Sequence, residues 1–129
     1  MRRILIVGVS VLGSLVAAFF WLTPTQSGDR ASYLYEQTVA LGQSLYLENC
    51  AACHGANLEG QADWQSRDAD GYLPAPPHDE TGHTWHHPTE QLFAITKLGT
   101  EAIVGGGYKS NMAAFGDVLS DGEIYAILA

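Results

Sequence analysis

The chain contains two cysteines, Cys50 and Cys53, which lie three positions apart with His54 directly after them. A single pair this close in sequence excludes a disulfide framework, and it supplies too few thiols for a four-cysteine zinc site. The C-x-x-C-H run leaves three interpretations: attachment of a c-type haem, a thioredoxin-like redox pair, or half of a mixed zinc site. Each interpretation requires a different fold around the motif.

The geometry of the motif favours haem attachment. Two thiols on one helical turn can add to the two vinyl groups along one edge of a porphyrin, and the next histidine is then directed under the iron. Ala51 and Ala52 are small and leave room for the ring to approach. A thioredoxin-like pair needs a βαβ setting, which the sequence does not predict. We therefore predict one haem c, bound covalently by Cys50 and Cys53, with His54 as its proximal iron ligand.

An uncharged apolar segment lies near the start of the chain. Residues 4–22 are 19 positions without a charged side chain, and as a helix they span roughly 28 Å, close to the hydrocarbon thickness of a bilayer. A cleaved secretory signal is the alternative, because Arg2 and Arg3 form a short positive region before it. The segment is longer than the apolar part of a usual signal, lacks an A-x-A cleavage box and contains Trp21, which suits a membrane interface. We favour a retained transmembrane helix, residues 1–22, with the rest of the chain exported.

Charge narrows the choice of partners. The whole chain has a formal net charge of −8. Arg2 and Arg3 supply two of its six positive charges, so residues 23–129 carry four cations against 14 carboxylates, a net charge of about −10. Because there is no basic patch to neutralise phosphates, we exclude nucleic acid as a partner.

The exported part divides into a linker and one domain. Residues 23–31 are polar, contain Pro and Gly, and are predicted to be a linker; residues 32–129 are predicted to form the domain. Ser120 begins a C-terminal segment in which Glu123 occupies the capping-box position. Helical patterns occupy residues 32–49, 88–98 and 121–129, and the Gly- and Pro-rich stretch 55–82 is predicted to be mostly loop. No segment alternates as a strand does, so we predict an all-α domain.

Residues 35–129 resemble a class I monohaem cytochrome c. The elements follow the order of that family: a G-x-x-L-Y run, the C-x-x-C-H-G motif, a proline-rich stretch, a middle helix, and a methionine before the C-terminal helix. The resemblance implies a small all-α cytochrome c fold around one covalently bound haem, here preceded by an N-terminal transmembrane helix. It also implies that Gly42 and Tyr46 let the first helix cross the last one closely, against Ile124, Tyr125 and Leu128.

The resemblance implies further contacts of the haem. The family's sixth iron ligand is a methionine in an M-P-x-F-like loop; here the run is M-A-A-F, and its methionine is Met112. Elimination also favours Met112, because the other methionine, Met1, precedes the apolar segment. The family's P-x-L pattern supplies a carbonyl acceptor for the proximal histidine and maps to Pro76, with His78 in place of leucine. Trp85 is either a donor to a haem propionate or a core aromatic residue.

Four histidines lie within ten residues of one another: His78, His83, His86 and His87. They could bind copper or zinc, or one of them could replace Met112 on the iron. Because the segment is predicted to be a loop, we favour solvated or propionate-contacting side chains over a metal site.

These expectations together predict a one-electron carrier and not an enzyme, since an iron with both axial positions filled cannot bind a substrate. The resemblance implies membrane redox partners such as a quinol–cytochrome c reductase, a terminal oxidase or a photosynthetic reaction centre. The predicted location is the cytoplasmic membrane of a bacterium, crossed once, with the haem domain on the periplasmic side. Two alternatives remain: a haem- or metal-binding sensor module with a switchable sixth ligand, and a fixed cytochrome subunit of a larger oxidoreductase complex.

Overall fold

The computed structural model describes residues 26–129, and within this range the chain is helical and contains no strand. The chain divides after Leu34 into two compact units, and the second unit, residues 35–129, contains most of the helices. The elements in order are α1 (Gln26–Asn49), α2 (Ala51–His54), a 3₁₀ turn (Thr84–His86), α3 (Thr89–Leu98), α4 (Thr100–Val104) and α5 (Asp121–Ile127). The predicted all-α class is confirmed for the described part of the chain.

The first helix begins earlier than the sequence indicates. We predicted a start at Ser32 after a linker over residues 23–31, whereas α1 begins at Gln26, so residues 26–31 are helical. Within residues 26–31, the one residue that strongly weakens a helix is Gly28. One glycine costs a helix about 1 kcal/mol, which a helix of 24 residues tolerates.

The predicted membrane-spanning segment, residues 4–22, lies outside the described residues, as do residues 23–25 of the predicted linker. Between residues 26 and 129, none of the helices combines the length and the apolar character needed to cross a bilayer.

Local sequence signals set the limits of the later helices. α3 follows Pro88 and ends at Gly99, whose φ of 85° is a conformation that favours glycine. Ser120 caps α5: its hydroxyl accepts a hydrogen bond from the backbone N–H of Glu123, and the Glu123 carboxylate accepts one from the backbone N–H of Ser120. The Ser120 hydroxyl also donates to the Glu123 carboxylate at 2.7 Å, and this hydrogen bond, with that from the Ser120 backbone N–H, lowers the pKa of Glu123. The predicted capping box is therefore confirmed.

The close crossing of α1 and α5 depends on Gly42. Gly42 is buried, and a Cβ added to it would overlap the carbonyl oxygen of Ala126 and approach the backbone nitrogen of Ile127 to 3.0 Å. At this point α1 therefore lies directly on the backbone of α5. Of the side chains that the resemblance assigns to the crossing, Tyr125 stacks on Phe93 of α3, with 4.5 Å between the ring centroids.

The helices enclose few apolar side chains. Among the described residues, the buried apolar ones are Leu119, Ile124 and Ala126. Large apolar side chains such as Leu98 and Val104 stay 54% exposed on the segments that lead to Met112. A domain of this size normally buries a far larger core, so residues 35–129 need an additional apolar body to complete their interior.

We expect Gly42→Ala to destabilise the protein, because the new methyl group meets backbone atoms that cannot move aside separately from α5. Overpacking of this kind lowers the free energy of unfolding by about 1–3 kcal/mol, which exceeds the gain of up to about 1 kcal/mol in helix propensity. Gly122, in the first turn of α5, has open space at its Cβ position and is the matched control. Thermal unfolding of the haem-loaded chain should show a loss for Gly42→Ala and no loss for Gly122→Ala; equal melting temperatures would contradict the crossing.

Candidate haem site

The C-x-x-C-H motif folds as a single helical turn. Cys50 precedes α2, and its carbonyl oxygen accepts hydrogen bonds from the backbone N–H groups of Cys53 and His54 at 3.1 and 3.0 Å. Gly55 ends the turn with a φ of 82°. Cys50 is half-buried and Cys53 is exposed. The turn therefore carries both sulfurs and the histidine on one short, rigid element.

Tyr46 of α1 fastens the end of this turn. Its hydroxyl donates a hydrogen bond to the carbonyl oxygen of Gly55 at 2.8 Å. Burial, with smaller contributions from Cys50 and Glu59, raises the pKa of Tyr46 to about 12, so the hydroxyl stays protonated and keeps donating. The aromatic residue that the resemblance assigns to the helix crossing thus also holds the motif in place.

The surroundings of Cys50 differ from those of a reactive redox pair. Burial, assisted by Cys53, raises the pKa of Cys50, whereas reactive cysteine pairs lower the pKa of a thiol. The described residues include no strand that could form a βαβ unit around the motif. They also include no group of three or more His, Cys, Asp or Glu side chains that could hold a metal ion. The geometry therefore favours the covalent-attachment interpretation of the motif.

His54 is held in one tautomer. Its side chain is buried, and its Nδ1 lies 2.9 Å from the carbonyl oxygen of Pro76, 22 residues along the chain. A carbonyl oxygen only accepts hydrogen bonds, so Nδ1 carries the proton. The lone pair of Nε2 is then free to coordinate a metal, which is the arrangement that metal-binding histidines normally show. This is the contact that the P-x-L comparison implies for Pro76.

Hydrogen bonds between two neighbouring chain segments hold Pro76 beside His54. The backbone N–H of Gln61 donates to the carbonyl oxygen of Ala75 at 2.9 Å. The side-chain oxygen of Gln61 accepts a hydrogen bond from the backbone N–H of Ala75 at 2.8 Å. The backbone N–H of His78 donates to the carbonyl of Leu58 at 2.8 Å. These bonds bracket Pro76 on both sides and fix the direction of its carbonyl group.

His78 packs directly on His54. Their ring centroids are 4.2 Å apart with an angle of 22° between the planes. Burial, with smaller contributions from His54 and His83, lowers the pKa of His78 to about 4, so the ring is neutral at neutral pH. In the sequence, His78 stands in place of the family's leucine and belongs to the cluster of four histidines, but no sequence pattern indicates a stack between the two rings.

Met112 lies in a separate part of the fold, on the segment between α4 and α5. Its sulfur accepts a hydrogen bond from the hydroxyl of Thr100 at 3.4 Å, and its backbone N–H donates to the hydroxyl of Ser110 at 3.1 Å. An open cleft of about 600 Å³ adjoins it, lined by Leu98, Gly99, Glu101, Ala102 and residues 110–114. Met112 therefore lines this cleft, and its sulfur is held by Thr100. Sequence reasoning did not identify Thr100.

The segment after Met112 is fastened although it lacks the family's proline. The backbone N–H groups of Phe115 and Gly116 donate to the carbonyls of Thr96 and Lys97 at the end of α3, each at 3.0 Å. These two hydrogen bonds restrain the chain three and four residues after the methionine, whereas the family's proline would directly follow it.

Trp85 lies in the 3₁₀ turn and is 67% exposed. Its indole N–H donates to the carbonyl of Gly82 at 3.2 Å, and its ring stacks on His86 at 3.6 Å. The indole proton therefore has a backbone partner within its own turn. Two other histidines of the cluster also pack on rings. The His83 ring stacks on Trp64 with 5.4 Å between centroids, and it meets the edge of the His87 ring with 5.3 Å between centroids.

The donor groups present fit a covalently bound haem. The motif offers two thiols for the vinyl groups, a buried histidine with a free Nε2 for the iron, and an interior that lacks an apolar body of its own. A thioether on another segment offers a second axial ligand.

Comparison with known proteins agrees with this assignment. The family model described as Cytochrome c matches residues 39–129. Proteins of this family bind haem c covalently, and Cys50 and Cys53 have the spacing typical of its attachment. Neither the curated proteins nor the solved structures compared with the chain include a match.

Replacing both cysteines should abolish covalent attachment. We expect Cys50→Ala with Cys53→Ala to leave no haem on the chain after denaturing electrophoresis, because no other thiol is present. Each single variant should retain one thioether bond, and Ala52→Ser, at an exposed site between the two cysteines, should stain as the wild type does. Haem peroxidase staining measures the outcome, and staining of the double variant at wild-type intensity would contradict the assignment.

Proposed function

Because the chain belongs to the cytochrome c family, with haem-based electron transfer as its role, we propose that it is a one-electron carrier with a single haem c. In this proposal Cys50 and Cys53 attach the haem, and His54 and Met112 are its axial ligands. The bound haem supplies the one-electron couple of its iron. The protein supplies the ligands, their orientation and a low-dielectric surround.

The observation that carries the proposal is the state of His54. The hydrogen bond to the Pro76 carbonyl places the proton on Nδ1, and burial excludes water from the ring. An imidazole whose Nδ1–H donates to a fixed carbonyl is a stronger electron donor to a metal than a freely rotating one. Its place directly after the two attaching cysteines puts it within reach of an iron held by them.

Met112 is supported as the sixth ligand by three features. The only other methionine is Met1. The sulfur of Met112 is held by Thr100 at the rim of an open cleft, and the chain beyond it is fastened to α3. A thioether ligand favours reduced iron and raises the reduction potential, which suits a carrier. With both axial positions filled, the iron has no site for a substrate, and this favours a carrier over an enzyme.

We further propose that the haem domain works beside a membrane. Residues 4–22 would anchor it on the periplasmic side of a bacterial cytoplasmic membrane, within reach of a quinol–cytochrome c reductase, a terminal oxidase or a reaction centre. The charge of about −10 on residues 23–129 supports a partner with a basic or largely apolar docking surface. A short tether would raise the effective concentration at such a partner to about the millimolar range without a strong contact.

The sixth ligand can be tested at Met112. We expect Met112→Ala to open the iron to carbon monoxide in the reduced state and to lower the reduction potential by on the order of 100 mV, within the span of about 0.8 V set by axial ligands. Asn111→Ala, the exposed neighbour, is the control and should behave as the wild type does.

The spectra and potential of these variants decide between carrier and sensor. A six-coordinate low-spin spectrum and an unchanged potential in Met112→Ala would remove Met112 as the ligand. Carbon monoxide binding to the reduced wild type would instead favour the sensor module with a switchable sixth ligand.

The acidic surface predicts opposite salt effects for small redox reagents of opposite charge. Electron transfer between the full chain and a cationic metal complex should slow as ionic strength rises, because salt screens the attraction; transfer with an anionic complex should accelerate. Most of the change should occur below about 0.1 M salt, where the Debye length exceeds about 10 Å. Stopped-flow rates in a non-ionic detergent measure both. Rates with the same salt dependence for both reagents would show that charge does not guide encounter.

A further inference from the structure

His78 and its partner Thr84 form a second support for the proximal histidine. The His78 ring lies nearly parallel to the ring of His54, 4.2 Å between centroids and 22° between planes. The Nδ1 of His78 lies 2.6 Å from the hydroxyl oxygen of Thr84, the first residue of the 3₁₀ turn. The Thr84 hydroxyl has one proton, which it donates to the carbonyl of Pro77, so it accepts the hydrogen bond from the Nδ1–H of His78.

Thr84 and Leu58 fix His78 from two directions. The Thr84 hydroxyl donates to the carbonyl of Pro77 at 3.5 Å, next to the carbonyl that binds His54. The backbone N–H of His78 donates to the carbonyl of Leu58 at 2.8 Å. Backbone and ring of His78 are therefore both held, and the ring cannot turn away from His54 without losing a hydrogen bond.

The two supports of His54 restrict different motions. The hydrogen bond from Nδ1 to Pro76 fixes one edge of the ring, but the ring can still turn about the N–H···O direction. A flat surface packed against its face removes that rotation. Leucine, which the family pattern has at this position, would fill the space but offers neither a flat surface nor a partner for Thr84.

We propose that His78, held by Thr84, is a positioning residue that fixes the plane of the His54 imidazole about its bond to the haem iron. The inference rests on the proposed function in one respect, since it requires His54 to be the proximal ligand. The plane of an axial imidazole decides which iron d orbitals its π system overlaps, and hence how unpaired spin spreads over the ferric porphyrin. Ligand orientation by outer partners is a general means of tuning metal centres.

The test uses the full haem-loaded chain in the ferric state and the paramagnetic NMR shifts of the haem methyl groups, which report spin distribution. We expect His78→Leu to change the spread of these shifts while the haem stays covalently bound. Thr84→Val should move the shifts in the same direction by a smaller amount, and Thr84→Ser should restore the wild-type pattern. His86→Leu, which changes an exposed histidine stacked on Trp85, is the matched control and should leave the pattern unchanged.

Wild-type shifts in both His78→Leu and Thr84→Val would overturn the positioning role, and so would an equal change in His86→Leu. If His78→Leu does not fold, Thr84→Val and Thr84→Ser still decide the question. A His54→Ala variant separates this result from the proposed function. If that variant keeps the wild-type spectrum, His54 is not the ligand and both proposals fail. If only His54→Ala changes the spectrum, ligation stands and the positioning role fails.

Discussion

One hydrogen bond, from Nδ1 of His54 to the carbonyl oxygen of Pro76, sets the chemistry of the site. Because a carbonyl cannot donate, the bond places a proton on Nδ1 and leaves Nε2 as the ring nitrogen that could bind a metal. The loop bonds around Gln61 and Ala75 deliver that carbonyl, and His78 packs on the resulting ring. Much of the loop between residues 55 and 82 can be understood as the structure needed to hold this one contact.

The interior of the domain depends on a bound group for its stability. The described helices bury few apolar side chains, and α1 meets the backbone of α5 at Gly42. A small domain of this kind gains much of its stability from a tightly bound group, because a group that binds only the folded state shifts the equilibrium toward it. Covalent attachment makes that gain independent of the concentration of free haem.

The parts that could be predicted from the sequence are those encoded by neighbouring residues. The haem motif, the capping box of Ser120 and Glu123, and the limits of α3 depend on residues within a few positions of each other. The predicted start of α1 was wrong because a polar stretch with a glycine resembles a linker. Composition alone does not show that a long helix can include such a stretch. The stack of His78 on His54 and the bond from Thr100 to Met112 join segments 24 and 12 residues apart, and their existence depends on the path of the loops.

The contact between His54 and Pro76 spans 22 residues, and this has a consequence for unfolding. Closing a flexible loop of this length costs about 3 kcal/mol of chain entropy, so the loop can open before the helices separate. Such an opening would release the proton-fixing partner of His54 while both thioether bonds remain intact. The orientation of the His54 ring is then a reversible property that depends on a distant contact, whereas attachment is local and permanent. The protein could lose its electronic tuning under mild stress and regain it without ever losing its haem.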